Sequence, residues 1–307
     1  MSYKEDKILS LTSTLPLDPS QKELNSLFDK QLKKGIHGIG FSPYLEGQEP
    51  GEVITEEQIR RRMTVLKPYV KWIRTFSCTD GNELIPKIAH EMGIKTLVGA
   101  WLGTDDEKNE KEIEGLIKVA KSGYVDIAAV GNEVMYREDL TEAQLLDFIN
   151  HVKSEIPSIT VGYVDAYYEF ENRPSITEAC DVILANCYPF WEGCHIDYSL
   201  LYMKDMFRRT VKVANGKKVI ITETGWPNKG QTFHGAVPSY ESAVRYFLNA
   251  QQWSTEDAID MFYFSSFDEP WKTSDEGDVG AFWGLWDKDE KLKYAESTVI
   301  KKPNSLT

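Results

Sequence analysis

The chain has 307 residues, with 35 Lys and Arg against 48 Asp and Glu, a formal net charge of −13. The length suffices for one large buried core, and 41% hydrophobic and 12% aromatic residues exclude a disordered chain. The charge argues against a broad nucleic-acid or anionic-membrane surface, since both need clustered Lys and Arg, and no apolar run approaches the roughly 18 residues of a spanning helix.

The chain opens MSYKEDKILSLTSTLPLDP. This stretch has no apolar core flanked by a cleavage site, so no secretory leader is read in it. Residues 1–18 are expected to be a lead-in, 300–307 a tail, and 1–307 one domain. Eight apolar runs rich in β-branched and aromatic residues follow. They begin near Ile36 (IHGIGFSPY), Val70 (VKWIRTFS), Ile94 (IKTLVGAWLG), Asp126 (DIAAVGNEV), Ile159 (ITVGYVDAY), Asp181 (DVILANCYPF), Lys218 (KVIITETGW) and Ile259 (IDMFYFSSFDEP). Near-continuous apolar runs suit strands buried on both faces, as in a parallel sheet.

Longer amphipathic stretches separate these runs. Thr55 to Gln58 and Thr141 to Gln144 each fit a capping box, Thr as N-cap and Gln three residues on. Leu145, Leu146, Phe148, Ile149 and Val152 then form one apolar face at helical spacing. Residues 106–121 and 240–253 read as helices too. Strands and helices alternating about eight times predict a single-domain α/β fold, a (β/α)8 TIM barrel. A doubly wound open sheet is the alternative, weakened because no glycine-rich phosphate fingerprint follows the first strand.

The four cysteines, Cys78, Cys180, Cys187 and Cys194, contain no CxxC pair, which argues against structural zinc. Cys187 reads as a buried thiol, and a disulfide among the three close ones stays open.

Barrel active sites gather at the C-terminal strand ends. Glu133 ends the fourth strand and Glu223 the seventh, 90 residues apart. Across an eight-stranded barrel such tips can face each other. Two carboxylates over one pocket can divide labour, one neutral and donating a proton, the other ionised and attacking or activating water. Glycoside hydrolysis needs that pair, about 5–5.5 Å apart for retention and about 6.5–9.5 Å for inversion. Either glutamate alone is equally a solvated strand-end carboxylate or a helix-capping partner. Asn132 either holds a sugar hydroxyl or caps a loop. Arg74 either orients Glu223 or forms an ordinary ion pair. Tyr188 either donates to a carboxylate or packs.

The phrases VGNEVMYRED (130–139), ITETGWPNKG (221–230), NCYPFWEG (186–193), FDEPWK (267–272) and WGLWD (283–287) resemble glycoside hydrolase family 17, the β-1,3-glucanase family of clan A. The resemblance spans the second strand to the last. It implies a (β/α)8 barrel, a retaining mechanism and β-1,3-glucan substrates without metal or cofactor. Glu133 matches the acid/base and Glu223 the nucleophile. Asn132 would contact the hydroxyl beside the anomeric carbon, with Arg74 and Tyr188 supporting the nucleophile. The first strand ends in FSPY rather than the GxxYG turn of plant members, and NxxPFWxG resembles fungal and bacterial members, which include transferases and exo-acting enzymes.

Aromatic platforms suit the C–H faces of sugars, and Tyr44, Trp191 and Trp226 join the expected substrate-binding set. Trp101, Tyr167, Trp271 and Trp283 also lie near strand ends, although any one aromatic can equally be core. Glu269 and Lys272 bind hydroxyls or form a simple surface pair. The expected activity is a retaining endo-β-1,3-glucanase of the laminarinase type. An exo-acting enzyme or a glucanosyltransferase is the alternative mode, and a glucan-binding barrel the non-enzyme alternative. A Schiff-base lyase would need a desolvated lysine at a strand end, a place only Lys272 could fill. The expected protein is a monomer working outside the cell, extracellular or periplasmic.

Overall fold

The computed structural model describes Leu15, residues 19–273 and residues 276–295. The expected lead-in, apart from Leu15, and the expected tail lie outside the described residues. Eight strands, β1 (Ile36–Gly40), β2 (Val70–Arg74), β3 (Lys95–Ala100), β4 (Ile127–Asn132), β5 (Thr160–Ala166), β6 (Val182–Asn186), β7 (Val219–Thr224) and β8 (Met261–Tyr263), each fall within a predicted run. They pair in parallel in chain order, and β8 closes onto β1 through Gly38 opposite Phe262. The result is the predicted (β/α)8 barrel.

One apolar cluster consists only of strand residues, among them Leu97, Ala129, Val164, Leu184, Ile220 and Phe262. It fills the barrel as a packed core rather than a pore. Phe262 needs the space beside β1, because a Cβ on Gly38 would lie 2.5 Å from its ring.

The helices are α1 (Gln21–Lys33), α2 (Glu56–Leu66), α3 (Ile85–Glu91), α4 (Asp106–Lys121), α5 (Glu142–Glu155), α6 (Glu169–Asn172), α7 (Pro174–Ala179), α8 (Ser199–Val213) and α9 (Tyr240–Glu256). The box at Thr141 is complete. At Thr55 only half forms. The hydroxyl accepts from Gln58 N, but the Gln58 amide is buried and donates instead to Pro43 O at 2.7 Å and Gln48 at 2.6 Å. Tying down the loop after β1 outcompetes the cap.

The helix ring departs from simple alternation. The connection after β5 is split between α6 and α7, and β8 is followed by 3₁₀ turns at Pro270–Thr273 and Gly277–Phe282. Unpredicted α1, started by a Ser20–Glu23 capping box, packs against α9. Phe28 meets Phe247 at 4.8 Å, and Tyr240 Oη donates to Asn25 Oδ1 at 2.7 Å. All four cysteines are buried and free, so the open disulfide does not form.

Register shifts occur in β4 between Ala129 and Asn132, between Ala185 and Asn186 of β6, and between Ile221 and Thr224 of β7. Such irregularities re-aim side chains, and they sit at the ends of the strands that carry the predicted motifs.

Candidate active site

Glu133 immediately follows β4, and Glu223 is the penultimate residue of β7. The chain leaves β4 through two residues of positive φ, Gly131 at 87° and Glu133 at 53°. A Cβ on Gly131 would lie 2.9 Å from Val134 Cγ2, so glycine is required there on both counts. For Glu133 the left-handed conformation costs about 1–2 kcal/mol, which the surroundings must offset. Its backbone N donates to Val164 O at 2.8 Å.

Asn186, the last residue of β6, donates from Nδ2 to Glu133 Oε1 at 2.8 Å. Thr222 Oγ1 donates to Asn186 Oδ1 at 2.9 Å, which fixes the direction of the amide. Burial, and next the charge of Glu223, push the Glu133 carboxyl up to about 7, against the opposing pull of Asn186. A carboxyl so placed still carries its proton in a large fraction of molecules near neutrality.

Glu223 has different company. Buried Arg74, at the end of β2, donates from one terminal nitrogen to Glu223 Oε1 and from the other to Asn132 Oδ1, the latter at 2.6 Å. Tyr188 Oη donates to Glu223 Oε2 at 2.7 Å. Burial, and next the charge of Glu223, drive the Tyr188 phenol well up, so it keeps its proton and remains a donor. The mouth thus holds one carboxyl suited to giving a proton and one carboxylate held by donors on both oxygens, the division acid/base and nucleophile chemistry needs. The structure brings Glu133, Glu223, Asn132, Arg74 and Tyr188 together at the C-terminal end of the barrel.

Residues 38–284 match the BtgE/BtgC glycoside hydrolase domain. The chain belongs to this glycoside hydrolase family. It is 29% identical to a glucan 1,3-beta-glucosidase of Arthroderma benhamiae, over 86% of this chain and 92% of that protein. It is 28% identical to a glucan 1,3-beta-glucosidase of Saccharomyces cerevisiae, over 76% and 82%. The crystal structure of a glycoside hydrolase family 17 beta-1,3-glucanosyltransferase from Rhizomucor miehei superposes with a TM-score of 0.77 at 29% identity, covering 85% of this chain and 96% of that one. The resemblance to family 17 read from the motifs is borne out.

Beyond the glutamate pair, this glycoside hydrolase carries a second polar group beside Glu223. Lys272 Nζ lies 3.5 Å from Glu269 and 3.8 Å from Glu276, over the Phe264 ring at 4.1 Å. Burial pulls the lysine down, but Glu269, Glu276 and Glu223 outweigh it and the net direction is up. The lyase alternative gives way to the glycoside hydrolase family to which residues 38–284 belong. Glu269 is itself buried, so the two are no simple surface pair. Tyr44 is buried, accepts from Asn82 Nδ2 at 3.3 Å and meets Trp271 edge-on at 6.0 Å. Trp271 Nε1 is buried with no hydrogen-bond partner among the described residues. Trp191 is half-buried against Trp283 at 5.7 Å.

Trp226 corrects the expectation of a sugar platform. It is only 1% exposed, lies between Phe190 at 5.2 Å and Tyr246 at 5.5 Å, and donates from Nε1 to Val237 O at 3.0 Å. Its position after β7 places it in the layer supporting Phe190 and Trp191. Sequence reasoning also passed over Asn186, Glu276 and Asp165. Asn186 opens the quoted NCYPFWEG phrase and could have been found there. Asp165 sits in the VDAY end of the fifth run, where nothing but its charge in an apolar stretch marks it. Among the described residues no cluster of His, Cys, Asp and Glu could hold a metal ion, and no helix is long and apolar enough to cross a membrane.

Proposed function

We propose that the protein hydrolyses β-1,3-glucosidic bonds of laminarin-type glucans with retention of configuration, acting within chains. Glu223 attacks the anomeric carbon, and the bond to the departing sugar oxygen breaks as Glu133 gives that oxygen its proton. Glu133, now a carboxylate, takes a proton from water. The water oxygen bonds to the anomeric carbon and Glu223 leaves. Asn132 is assigned the hydroxyl next to the anomeric carbon, and Arg74 and Tyr188 hold the nucleophile. Tyr44, Trp191, Glu269 and Lys272 are assigned to sugar binding. The observation carrying the reading is the different company of two glutamates on one mouth, Glu133 buried beside the Asn186 amide and Glu223 held by Arg74 and Tyr188 on its two oxygens.

A sugar hydroxyl in place of water would make the same residues a transferase. The likeness to a glucanosyltransferase, at a TM-score of 0.77, favours this second reading. The protein is further proposed to act outside the cell as a monomer.

Digestion of laminarin decides among these. A ladder of mixed oligosaccharides appearing early, with the β-anomer forming first by proton NMR, is the expected result. A single small product points to exo action, and products longer than a supplied oligosaccharide point to transfer. Full turnover by Glu223→Ala would overturn the assignment, and glucan binding without turnover would leave a binding barrel.

A further inference from the structure

Asp165 is the penultimate residue of β5, a fully buried carboxylate. It does not share the inward face of its strand, where Val164 packs in the barrel cluster. Its position alternates with Val164, on the same side as Tyr163, which packs against Phe170 at 6.2 Å. So it stands behind the mouth rather than in it.

Its hydrogen bonds run to the turn that carries Glu133. Asp165 Oδ2 accepts from the backbone N of Met135 at 3.1 Å and of Tyr136 at 3.3 Å. Tyr163 Oη donates to the same oxygen and itself accepts from Met135 N at 2.9 Å. Oδ1 accepts from Ala166 N at 2.7 Å. A buried carboxylate is costly unless its oxygens are satisfied, and here two of the donors are the backbone groups just beyond a glutamate held at positive φ.

We propose that Asp165 is a positioning residue for Glu133, clamping the turn after β4 so that Glu133 keeps its left-handed conformation and aims at the departing oxygen. The inference rests on Glu133 being the acid/base. The groups acting on Glu133 agree with it. Glu223 on β7 and Asp165 on β5 raise its proton affinity, while Asn186 on β6 and Arg137 in its own loop lower it. The Tyr168 and Tyr188 phenols feel its charge as well. Asp165 therefore aims the acid and, in its ionised form, helps keep the proton on, its own carboxyl being pushed up by burial against the pull of its four donors.

The test compares Asp165→Asn with wild type on two substrates. One is a laminari-oligosaccharide, whose leaving oxygen needs a proton. The other is a dinitrophenyl laminari-oligoside, whose leaving group does not. The expected result is a loss of about 10²-fold in kcat/KM on the first and little loss on the second. The basic limb of the pH profile should also move to lower pH, because a negative charge beside Glu133 is gone. Equal losses on both substrates, or wild-type rates on both, would overturn the proposal. If Asp165→Asn does not fold, Tyr163→Phe takes its place, with the same selective loss at about three- to tenfold. Glu133→Gln runs in parallel. Wild-type kcat/KM for it on the natural oligosaccharide would overturn the acid/base assignment itself, whereas its loss beside an unaffected Asp165→Asn overturns the positioning role alone.

Discussion

Asn186 Nδ2 donates to Glu133 Oε1 at 2.8 Å, and this one bond reaches from the end of β6 to the residue after β4. It opposes the two strongest influences on that carboxyl, burial and Glu223, which together set it at about 7. With Glu133 as the proposed acid, kcat/KM of the wild type on a laminari-oligosaccharide is expected to fall as pH rises through about 7, where that carboxyl loses its proton. Removing the amide in Asn186→Ala removes a contact that favours the ionised form, so the basic limb moves to higher pH. The rate at the optimum should drop about tenfold as the carboxyl loses its aim. A pH–rate profile of the two proteins checks both signs. An unmoved limb refutes the assignment of that limb to Glu133.

The sequence was legible where one residue type performs one job in one place. Each strand was an apolar run bounded by polar residues, so all eight could be found, and Glu133 and Glu223 stood out as carboxylates where such runs stop. Arg74 was legible for the same reason, a charge at the end of VKWIR. What could not be read depends on partners distant in the chain. Gln58 leaves its capping box for Pro43 O and Gln48. Trp226 looks like any aromatic after a strand until Phe190 and Tyr246 are seen to enclose it. Helix α1 ahead of β1 occupies a place that alternation would give to a helix after β8, because its fit to α9 is a matter of packing, not of local pattern.

Arg74 is the fork between Glu223 and Asn132, donating to each from a different terminal nitrogen. A lysine has one point charge and no fixed fork, so Arg74→Lys should lose one of the two contacts. The expected outcome is a fall of about 10²-fold in kcat with a far-ultraviolet spectrum like wild type. Steady-state kinetics on laminarin checks it. A change confined to KM would mean that Arg74 serves binding rather than the nucleophile.

Trp226 and Trp191 should separate stability from recognition. Trp226→Phe removes the N–H donated to Val237 O and part of a packed ring, costing about 1–3 kcal/mol of stability while leaving KM within about twofold. Trp191→Ala, at a half-buried ring, should instead raise KM for laminarin by about tenfold with a smaller effect on unfolding. Denaturant melts and kinetics on both variants decide. A large KM increase for Trp226→Phe would restore it to the substrate surface.

Glu112, on α4, ties together the loops after β2 and β3. It accepts from Cys78 N at 2.7 Å, Thr79 Oγ1 at 2.8 Å, Ser77 Oγ at 2.5 Å and Trp101 N at 3.2 Å. Burial pushes this carboxyl up, and the four donors pull against it without cancelling the shift. Glu112→Ala strands these donors and should cost about 3 kcal/mol of stability in a urea melt. The sign with pH follows from the raised carboxyl. Between its unfolded and folded pKa the unfolded chain binds fewer protons, so this group's contribution declines as pH rises. Glu112→Gln, which has no proton to lose, should therefore show its largest deficit against wild type near pH ~4 and a smaller one near pH ~7. A deficit that grows with pH would mean that the four donors, not burial, dominate at Glu112.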